Sequence, residues 1–433
     1  MPGERLIVHA PRTLRGTVRI PGDKSVSHRS VMMGSLAYGR TVVENFLNGA
    51  DCLSTAAIFR SLGVRIRVRG TRLVIEGRGL NGLKPSKRIL NAGNSGTTAR
   101  ILLGLLSAQP FTSRLTGDRY LRRRPMGRVT EPLSRMGAVI TGGKDDGRLP
   151  LTLRPSSLRG ITHHSPVASA QVKSSLLMAG LYAEGVTRVI EPSVSRDHTE
   201  RMFRLFGLPL RVVGRTVSLR GPVKPFRGRL ILVPGDISSA AFFLVAGLIT
   251  PGARLTLRNV GINPTRTGLL DVLRRMGGRI RILKKRVPPG SEPVADLVVE
   301  HSRLSGLTIG GDDVPRMIDE FPILAVAATQ AQGATRVRNA AELRVKESDR
   351  IATMEVNLRR MGADITALKD GWVIQGPTPL RGGVLDSFGD HRVAMSLAVA
   401  GLVADGPVTI LDTKNVATSF PTFERLLKRI ARQ

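Results

Sequence analysis

Six long apolar stretches recur along the chain, beginning at Ser27, Thr97, Val172, Ile237, Asp319 and His391, at intervals of 70, 75, 65, 82 and 72 residues. Each stretch (SHRSVMMGSLAYG, TTARILLGLLSAQ, VKSSLLMAGLYAEG, ISSAAFFLVAGLIT, DEFPILAVAATQAQG and HRVAMSLAVAGLVADG) is apolar nearly all the way round, and each ends near a glycine or proline. That is how a helix buried on every side reads, and its return at a fixed period marks an internal repeat. Whatever else the chain does, it must wrap six such helices.

A second signal keeps the same period. Ser61-Leu62-Gly63, Arg135-Met136-Gly137, Leu205-Phe206-Gly207, Arg275-Met276-Gly277 and Arg360-Met361-Gly362 read as C-caps of amphipathic helices, since glycine supplies the left-handed turn after the last helical residue. Alternating runs follow, such as Val64–Val68 and Arg279–Leu283, whose period of two predicts strands with one solvated face. The unit is thus a mixed helix and strand module, and the fold class is α/β. Pro21-Gly22-Asp23-Lys24-Ser25 is echoed 213 residues later by Pro234-Gly235-Asp236-Ile237-Ser238, three repeats of 71. A chain of 433 residues is too long for one hydrophobic core. We expect two domains of three repeats each, residues 21–233 and residues 1–20 plus 234–433.

The formal net charge of +33 raises the question of nucleic acid. Aromatics are only 4%, no basic tail is present, and the charge is spread through every module, which argues against a nucleic-acid role. A cationic solvated surface accounts for most of the excess, and a steering field for a polyanionic substrate suits the remainder. The single cysteine, Cys52, excludes a disulfide framework and reads as a small buried hydrophobe. Seven histidines without ligand spacing give no metal site, and adjacent His163 and His164 point to opposite faces of an extended chain. No stretch reaches 18 uninterrupted apolar residues and no signal pattern opens the chain, so a soluble cytoplasmic protein is expected.

Chemistry gathers where the buried helices begin. Lys24, Ser25 and Arg29 crowd the first; Asn94-Ser95-Gly96-Thr97 opens the second; Ser169-Ala170-Gln171 opens the third. Free N–H groups and a partial positive charge make such termini ready for phosphates and carboxylates. Arg122 and Arg123 read as solvated, whereas Arg124 is held extended by Pro125 and so has an aimed side chain. Asp319-Glu320 opens the fifth helix, Lys346-Glu347-Ser348-Asp349-Arg350 is a dense mixed-charge segment, and Gly389-Asp390-His391-Arg392 opens the sixth. Gly22-Asp23-Lys24-Ser25 lacks the glycine that a P-loop needs before its lysine, and no nucleophile elbow or dinucleotide fingerprint occurs in context.

The repeat in two halves, with PGDKSVSHR, NAGNSGTTAR, RRPMGR, SAQVKSS, SRDHTE, RVKESDR, GDHRVAM and ATSFP in that order, resembles the enolpyruvyl transferases over residues 5 to 430 or so. Within them it is most similar to the shikimate-3-phosphate branch, the 5-enolpyruvylshikimate-3-phosphate synthases. The resemblance implies two inside-out α/β domains, each of three βαβαββ-like repeats with pseudo-threefold symmetry. It also implies an active site in the interdomain cleft and domain closure on substrate. The implied reaction moves the enolpyruvyl group of phosphoenolpyruvate to the 5-hydroxyl of shikimate 3-phosphate and releases phosphate through a tetrahedral intermediate.

Carried over by position, Lys24, Ser25, Arg29, Ser169, Ala170, Gln171, Arg196, Asp319 and Lys346 match the shikimate 3-phosphate site, and Lys24, Gly96, Arg124, Gln171, Arg350 and Arg392 match the phosphoenolpyruvate site. Asp319 matches the base at the acceptor hydroxyl, with Glu347 and Lys24 as candidates for proton delivery. No metal and no organic cofactor is implied, and the expected partners are the two small substrates alone, with no specific nucleic acid, no membrane and a monomeric state. One departure is visible. Where some relatives carry a lysine just before the terminal Phe-Pro, this chain reads Ala417-Thr418-Ser419-Phe420-Pro421. Gly96 is the small version of a position where some relatives carry alanine, which implies that glyphosate can occupy the phosphoenolpyruvate site. The alternatives are a UDP-N-acetylglucosamine enolpyruvyl transferase, whose early Lys-Asn pair is here Lys24-Ser25 and whose loop cysteine is absent, and a non-catalytic polyanion or nucleic-acid binder.

Overall fold

The computed structural model describes residues 5–143, 147–287 and 291–432. The chain divides into two compact units. One comprises Gly22–Val233 with Pro288–Glu292; the other comprises Met1–Pro21, Pro234–Val287 and Pro293–Gln433.

Each apolar stretch forms a core helix: Lys24–Leu36, Gly96–Ser107 and Ala170–Gly180 in the Gly22 unit, and Ile237–Ile249, Phe321–Thr329 and His391–Ala400 in the Pro234 unit. Their lack of a polar face leaves them no stable place but the centre, and nearly every residue after their first turn is buried. Five of the six are capped by the residue before them. The side chains of Asp23, Ser95, Ser169, Asp236 and Asp390 accept from the backbone N–H groups of Val26, Thr98, Val172, Ser238 and Arg392, each satisfying one otherwise orphaned donor. The fifth helix differs: Asp319 and Glu320 lie just ahead of it, Glu320 makes no side-chain cap, and Pro322 occupies its first turn.

Around these helices one sheet pattern recurs: a parallel pair, then two antiparallel pairings. In the Gly22 unit Leu230–Leu232 runs parallel to Tyr38–Glu44, which pairs antiparallel with Arg72–Arg78 and so with Arg65–Arg69. The same order links Leu90–Asn91, Ser113–Thr116, Leu151–Arg154 and Val139–Thr141, and again Thr162–His164, Gly185–Ile190, Thr216–Gly221 and Leu210–Val213. In the Pro234 unit Thr13–Arg19 lies parallel to Arg254–Gly261, followed by Val294–Glu300 and Arg279–Arg286. Leu304–Ser305, Ala331–Val337, Gly371–Gly376 and Asp364–Leu368 repeat it. The last sheet is shorter: Leu380–Asp386 runs parallel to Ala404–Leu411, whose other edge is covered by Leu6–Val8.

Five amphipathic helices end as their glycines predict. Gly63, Gly137, Gly207, Gly277 and Gly362 all have φ between 73° and 102°, a region closed to most side chains. His163 is buried and His164 exposed on their short strand, and no group of ligating residues that could hold a metal occurs among the described residues.

Packing between core helices is close enough to require glycine at one point. A Cβ on Gly104 would stand 1.9 Å from the backbone oxygen of Ser175, so the second and third core helices touch backbone to backbone. Since Ser169–Gln171 begin the third helix, this contact also sets where that helix begins. Gly104→Ala should lower unfolding stability by about 1–3 kcal/mol through forced separation, read as a shift of the denaturant midpoint.

Candidate active site

In the Gly22 unit the expected residues fall into two linked groups. The first surrounds Arg29, on the second turn of the first core helix and 5% exposed. Its Nε donates to Thr199 Oγ1 at 2.7 Å, its Nη2 to Ser174 Oγ at 2.7 Å and its Nη1 to the Ser25 backbone oxygen at 3.1 Å. Burial lowers the guanidinium pKa to about 10, with Glu200 and Asp23 opposing the shift. Arg196 lies near enough to add its own charge against Arg29. Lys24 pairs with Asp51 at 3.1 Å.

The second group joins the starts of the second and third core helices. Gln171 accepts at Oε1 from Arg100 Nη1 at 2.7 Å and donates from Nε2 to Thr97 Oγ1 at 3.2 Å, which fixes its amide. Arg124 donates to Asn94 Oδ1 at 2.7 Å and is 9% exposed, whereas Arg122 and Arg123 are exposed, as the proline placement predicts. Gly96 separates the two guanidinia: a Cβ there would lie 3.2 Å from Arg100 Nη1 and 3.3 Å from Arg124 Nη1. Ser169 caps the third helix and Ala170 is its first residue, a small side chain that leaves the helix end approachable.

In the Pro234 unit the expected residues converge on one carboxylate. Asp319 Oδ1 lies 3.4 Å from Arg350 Nη1 and 3.9 Å from Lys346 Nζ, and its backbone oxygen accepts from Arg392 Nη1 at 3.3 Å. Glu347 Oε2 meets Arg350 Nη2 at 2.8 Å. Burial draws the Lys346 ammonium below the usual lysine range despite Asp319 and Glu342. Arg350, wholly buried, is held charged: burial opposes this, but Asp390, Glu347 and Asp319 together raise its pKa.

Asp390 is the residue whose role the sequence did not disclose. It caps the sixth helix through Oδ1, and its Oδ2 accepts from Arg350 Nε at 2.8 Å and from Ser348 Oγ at 3.2 Å. Its place before a buried helix was the available signal. Asp51 and Arg100 were also missed, and Asn94 was named only as part of the opening of the second helix; Arg100, inside an apolar stretch, was the more legible of the two missed. Thr418, at the position of the lysine found in some relatives, donates its hydroxyl to the Asn415 backbone oxygen at 2.6 Å.

The fourth helix shows the opposite outcome. Ser238 Oγ contacts both Glu320 and Arg266, and Arg266 lies 3.5 Å from Asp236, so the protein's own groups fill this terminus. The sequence echo of the first helix therefore carries the cap without an open end.

The family model for EPSP synthase (3-phosphoshikimate 1-carboxyvinyltransferase) matches residues 8–427. The chain is 56% identical over 423 residues to the 3-phosphoshikimate 1-carboxyvinyltransferase of Geobacter sulfurreducens, with 98% of each chain covered. It is 55% identical over 413 residues to that of Geobacillus kaustophilus, covering 95% of this chain and 96% of the relative. Among solved structures, EPSP synthase from Acinetobacter baumannii is similar with a TM-score of 0.88 at 47% identity, covering 99% of this chain and 98% of that one. The enolpyruvyl transferase NikO from Streptomyces tendae, at 19% identity and a TM-score of 0.79, shares the fold and covers 100% of this chain and 98% of its own.

The Asp390 carboxyl yields a stability test. Burial would raise its pKa, but Arg350 holds it below the ordinary aspartate value. Its stabilising effect is therefore complete above the unfolded value of about 3.9 and is lost as pH falls through the folded one. Asp390→Asn should cost about 3–5 kcal/mol at neutral pH by leaving Arg350 underpaired. The difference between variant and wild type in denaturant unfolding should narrow below about pH 3.9.

Proposed function

The chain belongs to the EPSP synthase (3-phosphoshikimate 1-carboxyvinyltransferase) family, and from that premise we propose how its residues divide the work of enolpyruvyl transfer. The enzyme moves the enolpyruvyl group of phosphoenolpyruvate to the 5-hydroxyl of shikimate 3-phosphate and releases phosphate. The observation that carries the assignment is Asp319, a carboxylate with Arg350 and Lys346 on one oxygen.

Addition requires a proton on C3 of phosphoenolpyruvate, which leaves C2 cation-like, and attack there by the acceptor oxygen as its proton departs. Asp319 takes the hydroxyl proton; Glu347 or Lys24 delivers the proton to C3. Elimination then removes a proton from C3 and breaks the bond from C2 to the phosphate oxygen. Carboxylates near C2 stabilise its developing charge where water is excluded.

Shikimate 3-phosphate is assigned to Lys24, Ser25, Arg29, Ser169, Ala170, Gln171, Arg196, Asp319 and Lys346. Phosphoenolpyruvate is assigned to Lys24, Gly96, Arg124, Gln171, Arg350 and Arg392. Guanidinium forks suit its carboxylate and phosphate, which accept two parallel hydrogen bonds. The network supports this reading, because Arg100 and Asn94 orient Gln171 and Arg124 through protein hydrogen bonds. A cytoplasmic monomer acting on these two small polyanions completes the proposal. No described helix is long and apolar enough to cross a membrane.

Phosphate release with phosphoenolpyruvate and shikimate 3-phosphate tests the assignment. Asp319→Asn should lower kcat by about 10²–10⁴, and UDP-N-acetylglucosamine should give no turnover as acceptor. An unimpaired variant would remove Asp319 from the chemistry. A second test concerns the donor side. Gly96→Ala places a methyl within 3.3 Å of Arg124 and 3.2 Å of Arg100. It should raise the KM for phosphoenolpyruvate about tenfold and weaken glyphosate inhibition at least as much, measured by initial rates at saturating acceptor.

A further inference from the structure

Glu191 lies outside every group described above, yet it touches both segments assigned to the phosphorylated acceptor. It directly follows the strand Gly185–Ile190 and is 3% exposed. Its Oε1 accepts the backbone N–H of Ser169 at 3.1 Å, and its Oε2 accepts the backbone N–H of Ser195 at 3.4 Å. Ser169 caps the third core helix, and Ser195 directly precedes Arg196. One carboxylate thus ties together two loops that are 26 residues apart in sequence.

The carboxylate is itself anchored. Lys173, on the first turn of the third helix and 1% exposed, donates to Glu191 Oε2 at 2.8 Å and reaches the Ser195 backbone oxygen at 3.5 Å. The same ammonium lies 2.7 Å from Glu200 Oε1. Burial works against its charge, but Glu200 and Glu191 outweigh this and raise its pKa. Glu200 follows Thr199, which together with Ser174 holds Arg29. A buried lysine with two carboxylates is costly to assemble and is a poor means of gaining stability alone. Here Lys173 reaches the Ser195 backbone directly, and Glu191 carries the network on to the Ser169 and Ser195 N–H groups.

We propose that Glu191 is a positioning residue for the acceptor, fixing the Ser169 and Ser195 backbones so that Ser169 and Arg196 meet the phosphate of shikimate 3-phosphate. The proposal rests on the assignment of Ser169 and Arg196 to that substrate. Lys173 serves as the buried counter-ion that lets Glu191 remain an acceptor for both N–H groups.

Glu191→Gln presents an NH₂ group where Lys173 and the Ser195 N–H now find an oxygen. The KM for shikimate 3-phosphate should rise about tenfold or more while the KM for phosphoenolpyruvate stays within about twofold. Paired with Lys173→Met and Glu200→Gln, Glu191→Gln leaves no lone buried charge in the cluster, so the unfolding midpoint of this paired variant should recover relative to the single variant. Its acceptor KM should remain high. If acceptor KM returns to the wild-type value together with stability, or if both substrates are affected equally, Glu191 is merely structural and the proposal falls. Ser169→Ala, measured beside them, separates the two layers. An unchanged acceptor KM in that variant would overturn the site assignment and the proposal with it. A raised KM there with a normal one in the paired variant would overturn only the role of Glu191.

Discussion

The contact between Arg350 and Asp390 is the constraint on which the charged cluster of the Pro234 unit depends. Two fully buried groups of opposite charge are tolerated only because each also serves a second partner. Asp390 caps the sixth core helix, and Arg350 extends toward Glu347 and Asp319. The expense of burying them is offset by a geometry that leaves neither underused. Asp319, Lys346 and Arg392 are then arranged around a guanidinium that cannot move without uncapping a helix. The carboxylate proposed as the base, Asp319, is thereby positioned by a structural one.

The Gly22 unit reaches the same end by different means. There, hydroxyls and amides do what carboxylates do in its counterpart: Thr199 and Ser174 hold Arg29, and Asn94 holds Arg124. Neutral acceptors can orient a guanidinium through hydrogen bonds as firmly as a carboxylate does. The fourth core helix illustrates the alternative. With Arg266, Glu320 and Ser238 gathered at its start, a terminus with the same Pro-Gly-Asp opening is closed by the protein's own side chains.

Much of this was legible because the repeat is written in local signals. Uniformly apolar stretches gave the core helices, C-cap glycines such as Gly63 and Gly362 gave the ends of the amphipathic ones, and period-two arginine runs gave outer strands. Arg124 was separable from its two exposed neighbours because Pro125 restrains only the residue before it. What could not be read were partnerships across long separations. Nothing near Glu191 announces that it accepts from Ser169, and nothing near Asp390 names Arg350, 40 residues away. Tertiary hydrogen bonds leave no period in a sequence. The fifth helix start was displaced for a local reason: Asp319 and Glu320 resemble caps, but Pro322 fixes the entry and frees Asp319 for another use.

The pairing of Thr13–Arg19 with Arg254–Gly261 has a consequence for how the chain is made. The strand leaves the ribosome before its neighbour, which is synthesised roughly 240 residues later. At about 5–20 residues per second that is a wait on the order of ten to fifty seconds. During that interval Leu14, Val18 and Ile20, wholly buried in the finished protein, have no lasting cover. Meanwhile the intervening Gly22–Val233 segment can complete all three of its sheets, the last when Leu230–Leu232 emerges. The Pro234 unit is therefore completed only after the Gly22 unit, and Thr13–Arg19, like Leu6–Val8 ahead of it, waits uncovered until its partner strand is made.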